Sequence, residues 1–257
     1  MFFELKELTD FKLCALDGDI GRVKDFYFED QHWTVRYIVA DTGTWLASKL
    51  VLLSPFGLKR VNEHAGLIET GLTRQQIENS PAIDAAKPVS RQFEEEYYRY
   101  YGWPLYWNGP TLWGPSPYPT RYDAGYFDAT RSSLERPEGE PHLRSIDEVS
   151  RYHIQARDGE LGHVDDFILD DDDWAIRYLL VDTRHWLSGK KILVSPQWIE
   201  AIDWAESTIR IDLLRDTIRN APQRDESTSI TREFEAKLYE YYQREAYWTH
   251  PVELSPH

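Results

Sequence analysis

The chain has 257 residues, with 44 acidic and 29 basic side chains and a formal net charge of -15 at pH 7. That excess repels phosphate backbones, and the basic residues are spread singly, so nucleic acid and anionic membrane surfaces are not expected partners. The longest apolar stretches, Tyr37 to Ala40 and Tyr178 to Val181, are far too short to span a bilayer. Cys14 stands alone and cannot form an internal disulfide, and Met1 to Glu7 lacks the basic leader and apolar core of a signal peptide. Both features lead to the expectation of a cytoplasmic location.

The chain repeats itself at an offset of 141 residues: over 17–55 and 158–196, 18 of 39 positions are identical without a gap, more than chance supplies. Each copy opens on a turn dipeptide, Asp17-Gly18 or Asp158-Gly159, after a short segment such as Leu13-Cys14-Ala15. A strand is expected from Ile20 to Glu29 and from Leu161 to Asp170. Its apolar spacing, Val23, Phe26 and Phe28, fits one face only if a bulge lies near Lys24-Asp25, with a second near Asp165-Asp166. The next strand, Thr34 to Asp41 or Ala175 to Asp182, is apolar on both faces over part of its length, so both should be covered. Leu50 to Leu53 and Lys191 to Val194 read as strands ended by Ser-Pro. A last hairpin runs through 62–66, or 203–207 in the second copy.

The period then changes. Thr73 followed by Gln76 is a capping box for a short helix that stops before Pro81. A second helix is expected from about Ser90 to Tyr101, with Phe93, Tyr97 and Tyr101 on one face; Phe234, Leu238 and Tyr242 repeat that stripe. Positions 102–141 carry seven prolines, five glycines and eight aromatics in 40 positions, which forbids regular structure. Two readings of that segment stay open. Its rings cover the sheets, or Trp103, Trp107, Trp113, Tyr118 and Tyr122 form an exposed strip for a protein partner.

No catalytic constellation is found, and no cofactor or metal site is expected. A phosphate loop and a Gly-x-Ser-x-Gly elbow are absent, and no histidines sit at metal-ligand spacing. The acidic run Asp170, Asp171, Asp172 and Asp173 is a weak cation candidate that lacks the glycine and distant glutamate of an EF-hand. Asp41 and Asp182, with Arg36 and Arg177 nearby, read as structural carboxylates bonded to turn amides or to arginine.

Asp17-Gly18-Asp19-Ile20-Gly21-Arg22-Val23-Lys24-Asp25 followed by Val35-Arg36-Tyr37-Ile38-Val39-Ala40-Asp41-Thr42 resembles the PRC-barrel domain, and so does the second copy. The signature positions are Gly18, Gly21, Asp25, Trp33, Arg36 and Asp41, repeated as Gly159, Gly162, Asp166, Trp174, Arg177 and Asp182. The resemblance implies a β-barrel adaptor that binds proteins or ribonucleoprotein and carries no family catalytic residues.

The expected fold is therefore mainly β with short helices: two tandem small PRC-type β-barrels related by a pseudo-twofold, each followed by a helical aromatic tail. The expected boundaries are 1–80 for the first barrel, 81–107 for its tail, 108–141 for the Pro/Gly/aromatic linker, 142–222 for the second barrel and 223–257 for its tail. The expected function is a non-enzymatic protein-interaction or scaffolding module of a bacterium, an internal pseudo-dimer that could also form homodimers. Two alternatives remain: a regulatory role in photosynthetic or membrane electron or proton transfer, which the resemblance implies, and a small-ligand or metal-binding protein.

Overall fold

A computed structural model describes residues 1–46, 49–83, 88–120, 142–183, 191–222 and 229–249. The chain is mainly β with a few short helices. In order, the elements are β1 (Phe2–Glu4), α1 (Leu5–Leu8), β2 (Lys12–Ala15), β3 (Gly18–Glu29), β4 (Thr34–Asp41), β5 (Leu50–Leu53), β6 (Leu58–Asn62), β7 (Leu67–Thr70), α2 (Arg74–Glu78) and α3 (Arg91–Tyr101). The second copy supplies β8 (Leu143–Ser145), α4 (Ile146–Val149), β9 (His153–Ala156), β10 (Gly159–Asp170), β11 (Ala175–Asp182), β12 (Lys191–Val194), β13 (Ile199–Asp203), β14 (Thr208–Ile211), α5 (Arg215–Arg219) and α6 (Arg232–Tyr242).

The chain divides into two compact units that are not contiguous in sequence. The amino-terminal unit holds the described residues of Glu7–Ser145 together with Asp171–Ala175. Its strands form an open path, β5-β4-β3-β2-β7-β6, with β8 added to β3. The carboxyl-terminal unit holds Met1–Lys6, Ile146–Asp170 and the described residues from Ile176 onward. Its path is β12-β11-β10-β9-β14-β13, with β1 added to β10. The two topologies are the same. The parallel pairs match as well, β2 with β7 and β9 with β14.

Each unit thus takes its added strand from the start of the other copy. Phe2, Phe3 and Glu4 pair with Asp170, Leu169 and Ile168, while Leu143, Arg144 and Ser145 pair with Glu29, Phe28 and Tyr27. Both partners of every pair are displaced by the repeat offset, so the two additions are equivalent. Such an added strand supplies main-chain partners to an edge that would otherwise be bare.

Local sequence explains the elements. The β3 register shifts between Val23 and Asp25, where the apolar spacing requires an extra residue. From Thr34 to Ala40 every residue of β4 is buried, because both of its faces are covered. Thr73 Oγ1 accepts from Gln76 N and the Gln76 side chain accepts from Thr73 N, completing the expected capping box of α2. Gly102, left-handed at φ 70, ends α3. Gly21 and Gly162 hold positive φ, and a Cβ on either would collide with the carbonyl oxygen of Asp41 or Asp182. Only glycine admits this close strand approach.

Candidate functional site

The densest group of polar chemistry in the amino-terminal unit lies where α3 docks on β4 and β5. The helix presents Glu94, Tyr97 and Tyr98 inward, all fully buried. Tyr97 Oη donates to Leu52 O at 2.9 Å and accepts from Ser54 N at 3.1 Å, and Tyr98 Oη meets Ser54 Oγ at 3.3 Å. These bonds fix the helix against the end of β5.

Glu94 sits at the centre. Its Oε1 accepts from Tyr37 Oη and from Tyr106 Oη, each at 3.0 Å. Its Oε2 meets His142 Nε2 at 2.5 Å and Arg91 Nη1 at 3.1 Å. A buried carboxylate is tolerated only when its lone pairs are engaged, and here both oxygens are. Burial, and then the Glu94 charge, hold the Tyr37 and Tyr106 hydroxyls well above the usual tyrosine range. They therefore act as donors and not as proton sources near neutral pH.

Beside this group Arg36, 2% exposed, stacks over the Tyr106 ring at 3.9 Å and the Trp113 ring at 4.7 Å, and donates to Leu112 O at 2.6 Å. Glu29 lies 3.9 Å from Arg36 and accepts from Gln31 N, His32 N and His32 Nδ1. Burial alone would raise the Glu29 carboxyl. The His32 bonds and the Arg36 charge overcome that and bring it down to about 2.

The carboxyl-terminal unit repeats the arrangement. Glu235 Oε1 accepts from Tyr178 at 2.8 Å and Tyr247 at 3.0 Å, and Arg232 lies 3.0 Å from Oε2. Arg177 stacks over Tyr247 at 4.0 Å and donates to Asp170 through Nε and Nη2, both at 3.2 Å. Burial raises the Glu235 carboxyl.

The other signature residues hold the scaffold. Asp17 and Asp158, in the turns before Gly18 and Gly159, accept from Arg74 N and Arg215 N and tie those turns to α2 and α5. Trp33 and Trp174 are both buried and both left-handed, at φ 53 and 60. Asp41 accepts from Gly43 N at 2.9 Å, as a turn carboxylate should, and Asp182 is 2% exposed at the end of β11. Arg36 is directed instead to Leu112 O and Glu29. Asp25 accepts from Phe26 N and Ser145 Oγ, and Asp166 from Phe167 N and Lys6 N.

The aromatic strip is not an exposed strip. Trp103 and Trp113 are buried, Trp107 is half-buried, and Tyr118 is half exposed; Tyr122 lies outside the described residues. Trp113 Nε1 donates to Asp173 O at 2.7 Å, and its ring packs edge-on to Phe56 at 5.2 Å. A large ring with a satisfied N–H gains more from this burial than from solvent. The acidic run is divided between the units, Asp170 falling in one and Asp171 to Asp173 in the other. Asp170 is engaged by Arg177, and Asp173 Oδ1 accepts from Ala175 N at 3.1 Å.

Sequence reading missed Glu94, Glu235, Glu29 and His142 as interior residues. A glutamate one place after the aromatic position of both helices, Phe93-Glu94 and Phe234-Glu235, was the available signal.

No helix among the described residues is long and apolar enough to cross a membrane. The chain is similar to an uncharacterized protein of Deinococcus radiodurans, 32% identical over 99 residues that cover 33% of this chain and 35% of that protein. The chain therefore matches about a third of the length of this curated relative. The matched glycine turn, bulged strand and following hairpins lie in one stretch: residues 145–218 match the model of the PRC-barrel domain.

Proposed function

We propose that the chain is a non-enzymatic protein-interaction or scaffolding module built on two tandem PRC-type barrels, one per unit, with the aromatic helices as structural tails. The observation that carries this reading is the closure of the Glu94 group. Carboxylate, imidazole, guanidinium and tyrosine hydroxyls are assembled there, yet Glu94 is 0% exposed and each of its oxygens is bonded. A catalytic group needs a place for a reacting atom, and a fully buried carboxylate with both oxygens engaged favours a structural role instead. The PRC-barrel match at 145–218 favours a non-catalytic module in the same direction. With a net charge of -15, the partner is a protein and not a nucleic acid.

The test is affinity capture of the full chain from its native lysate with chemical cross-linking and mass spectrometry, alongside Tyr106→Phe. That variant removes one hydroxyl from the buried group and keeps the ring. A partner captured equally by both proteins supports the reading. No partner above background, or capture lost in Tyr106→Phe while circular dichroism stays unchanged, would sink it.

A further inference from the structure

Trp198 stands at the repeat position of Gly57, and Arg244 at that of Trp103. Yet each unit holds an indole in the same place. In the amino-terminal unit a Cβ on Gly57 would come within 3.0 Å of the Trp103 ring. In the carboxyl-terminal unit the side chain at that position is itself the indole. Trp103 stacks on Tyr101 at 4.3 Å and meets Tyr98 at 6.3 Å. Trp198 meets Tyr242 at 4.6 Å and Tyr239 at 5.5 Å, and these tyrosines are the repeats of Tyr101 and Tyr98. A tryptophan therefore lies between the same two tyrosines in both units, although the two copies supply it from different chain positions.

Packing does not explain the choice. Apolar packing accepts many side chains of suitable size. Trp198 Nε1 and Tyr242 Oη are buried and, among the described residues, have no hydrogen-bond partner. An unpaired buried donor is destabilising, and phenylalanine would fill either place without one. What tryptophan and tyrosine offer instead is a ring that gives up an electron readily.

The indole completes a file of rings. Tyr100, 41% exposed, meets Tyr101 at 4.8 Å; Trp103 and Tyr98 follow; Tyr98 meets Tyr106 at 5.8 Å, and Tyr106 Oη donates to Glu94 Oε1. The other unit repeats it. Tyr241 meets Tyr242 at 5.2 Å; Trp198 and Tyr239 follow; Tyr239 meets Tyr247 at 6.2 Å, and Tyr247 Oη donates to Glu235 Oε1. We propose that each unit carries a single oxidising equivalent along this file, from its outer tyrosine to the tyrosines that share its buried carboxylate, and holds it there as a neutral tyrosyl radical.

The oxidant is a one-electron acceptor in solution. It gains one electron, which Tyr106 supplies through the rings between. As that electron leaves, the Tyr106 O–H bond breaks, and the proton crosses the 3.0 Å bond to Glu94 Oε1, where a new O–H bond forms. An intact tyrosine keeps its proton in this interior, but a ring short of an electron is a strong acid. The products are a neutral radical, a neutral carboxyl group and the reduced oxidant. Neutral partners suit a dry interior better than an ion does, which traps the equivalent. Arg91, which loses its counter-charge, is part-exposed. Tyr37 bonds the same Glu94 oxygen at 3.0 Å, and Tyr178 that of Glu235 at 2.8 Å, so each is an equivalent end point. Trp107 and Trp248 adjoin the inner tyrosines but lie beneath Arg91 and Arg232, at 4.0 and 4.2 Å, and a guanidinium opposes the positive charge left by a departing electron. Tyr106 and Tyr247 also lie beneath guanidinium groups, of Arg36 and Arg177, but end uncharged.

Flash photolysis of the full chain with ruthenium tris-bipyridine and persulfate supplies the oxidant, and electron paramagnetic resonance follows the radical. The tyrosyl signal of the wild type should outlast that of N-acetyltyrosinamide treated alike. Glu94→Gln with Glu235→Gln removes both proton acceptors and should abolish the long-lived signal. Trp103→Phe with Trp198→Phe keeps a ring in each place and leaves the buried carboxylates intact. It should abolish the signal too, at unchanged circular dichroism, and it decides the matter if the glutamine variant fails to fold. Tyr118→Phe, away from the file, should leave the signal as it is. A wild-type signal no longer lived than that of the free amide, or a long-lived signal that survives the tryptophan substitutions, overturns the proposal.

Discussion

Glu94 and Glu235 lie 141 residues apart and each rests under two tyrosines, Tyr37 with Tyr106 and Tyr178 with Tyr247. Their second oxygens fare differently. Glu94 Oε2 meets His142 and Arg91, whereas Glu235 Oε2 keeps the Arg232 ion pair and, among the described residues, has no hydrogen-bond partner. Met1 stands at the repeat position of His142 and is 70% exposed. The helices differ likewise: Tyr97 bonds to Leu52 and Ser54, and Leu238 in its place packs without a polar contact. Duplication has kept the apolar frame and the central carboxylate, while the hydrogen bonds around it have diverged. Apolar packing accepts many side chains of similar size, but a buried polar group needs its particular partner.

The largest expected effect separates the two carboxylates. Glu94→Ala should destabilise the chain by about 4 kcal/mol, because it strands two buried hydroxyls and an imidazole and leaves Arg91 without its buried counter-charge. Glu235→Ala, with fewer partners to strand, should cost about 2 kcal/mol. Urea unfolding of both variants measures the gap, and equal losses would break the comparison.

Acid sharpens it next. The Glu29 carboxyl is held down at about 2, below its ordinary value. A depressed carboxyl stabilises the folded state above its unfolded value, and that stability is lost as pH falls through the folded value. Glu29 should therefore contribute about 3 kcal/mol at neutral pH, disappearing between about pH 4.5 and 2. In Glu29→Gln, stability followed by urea midpoints should fall less steeply over that window; an unchanged slope would remove Glu29 from the account.

A third substitution probes what the copies share. Gly21→Ala and Gly162→Ala should each cost about 2 kcal/mol, since a Cβ at positive φ strikes the facing carbonyl in both units. Thermal unfolding that finds one glycine dispensable would show that the strand approach is not equivalent. The smallest effect is at Tyr118, half exposed in the linker. Tyr118→Ala should change stability by less than about 0.5 kcal/mol, and a larger loss in urea would show that the linker's rings pack beyond Trp113.

Local pattern determined a large part of this protein. The 141-residue repeat, the bulge at Lys24-Asp25, the capping box of α2 and the two-sided burial of β4 are all written in short stretches of chain, because each depends on neighbours a few residues away. Apolar period and turn chemistry report such neighbours directly. Tertiary structure alone decided the rest: that β1 and β8 each complete the sheet of the other copy's unit, that Trp113 is buried, and that Glu94 is an interior residue joined to His142, 48 positions away. No local period encodes a partner so distant. A glutamate reads as a solvated helix face until the fold brings tyrosine, arginine and histidine around it.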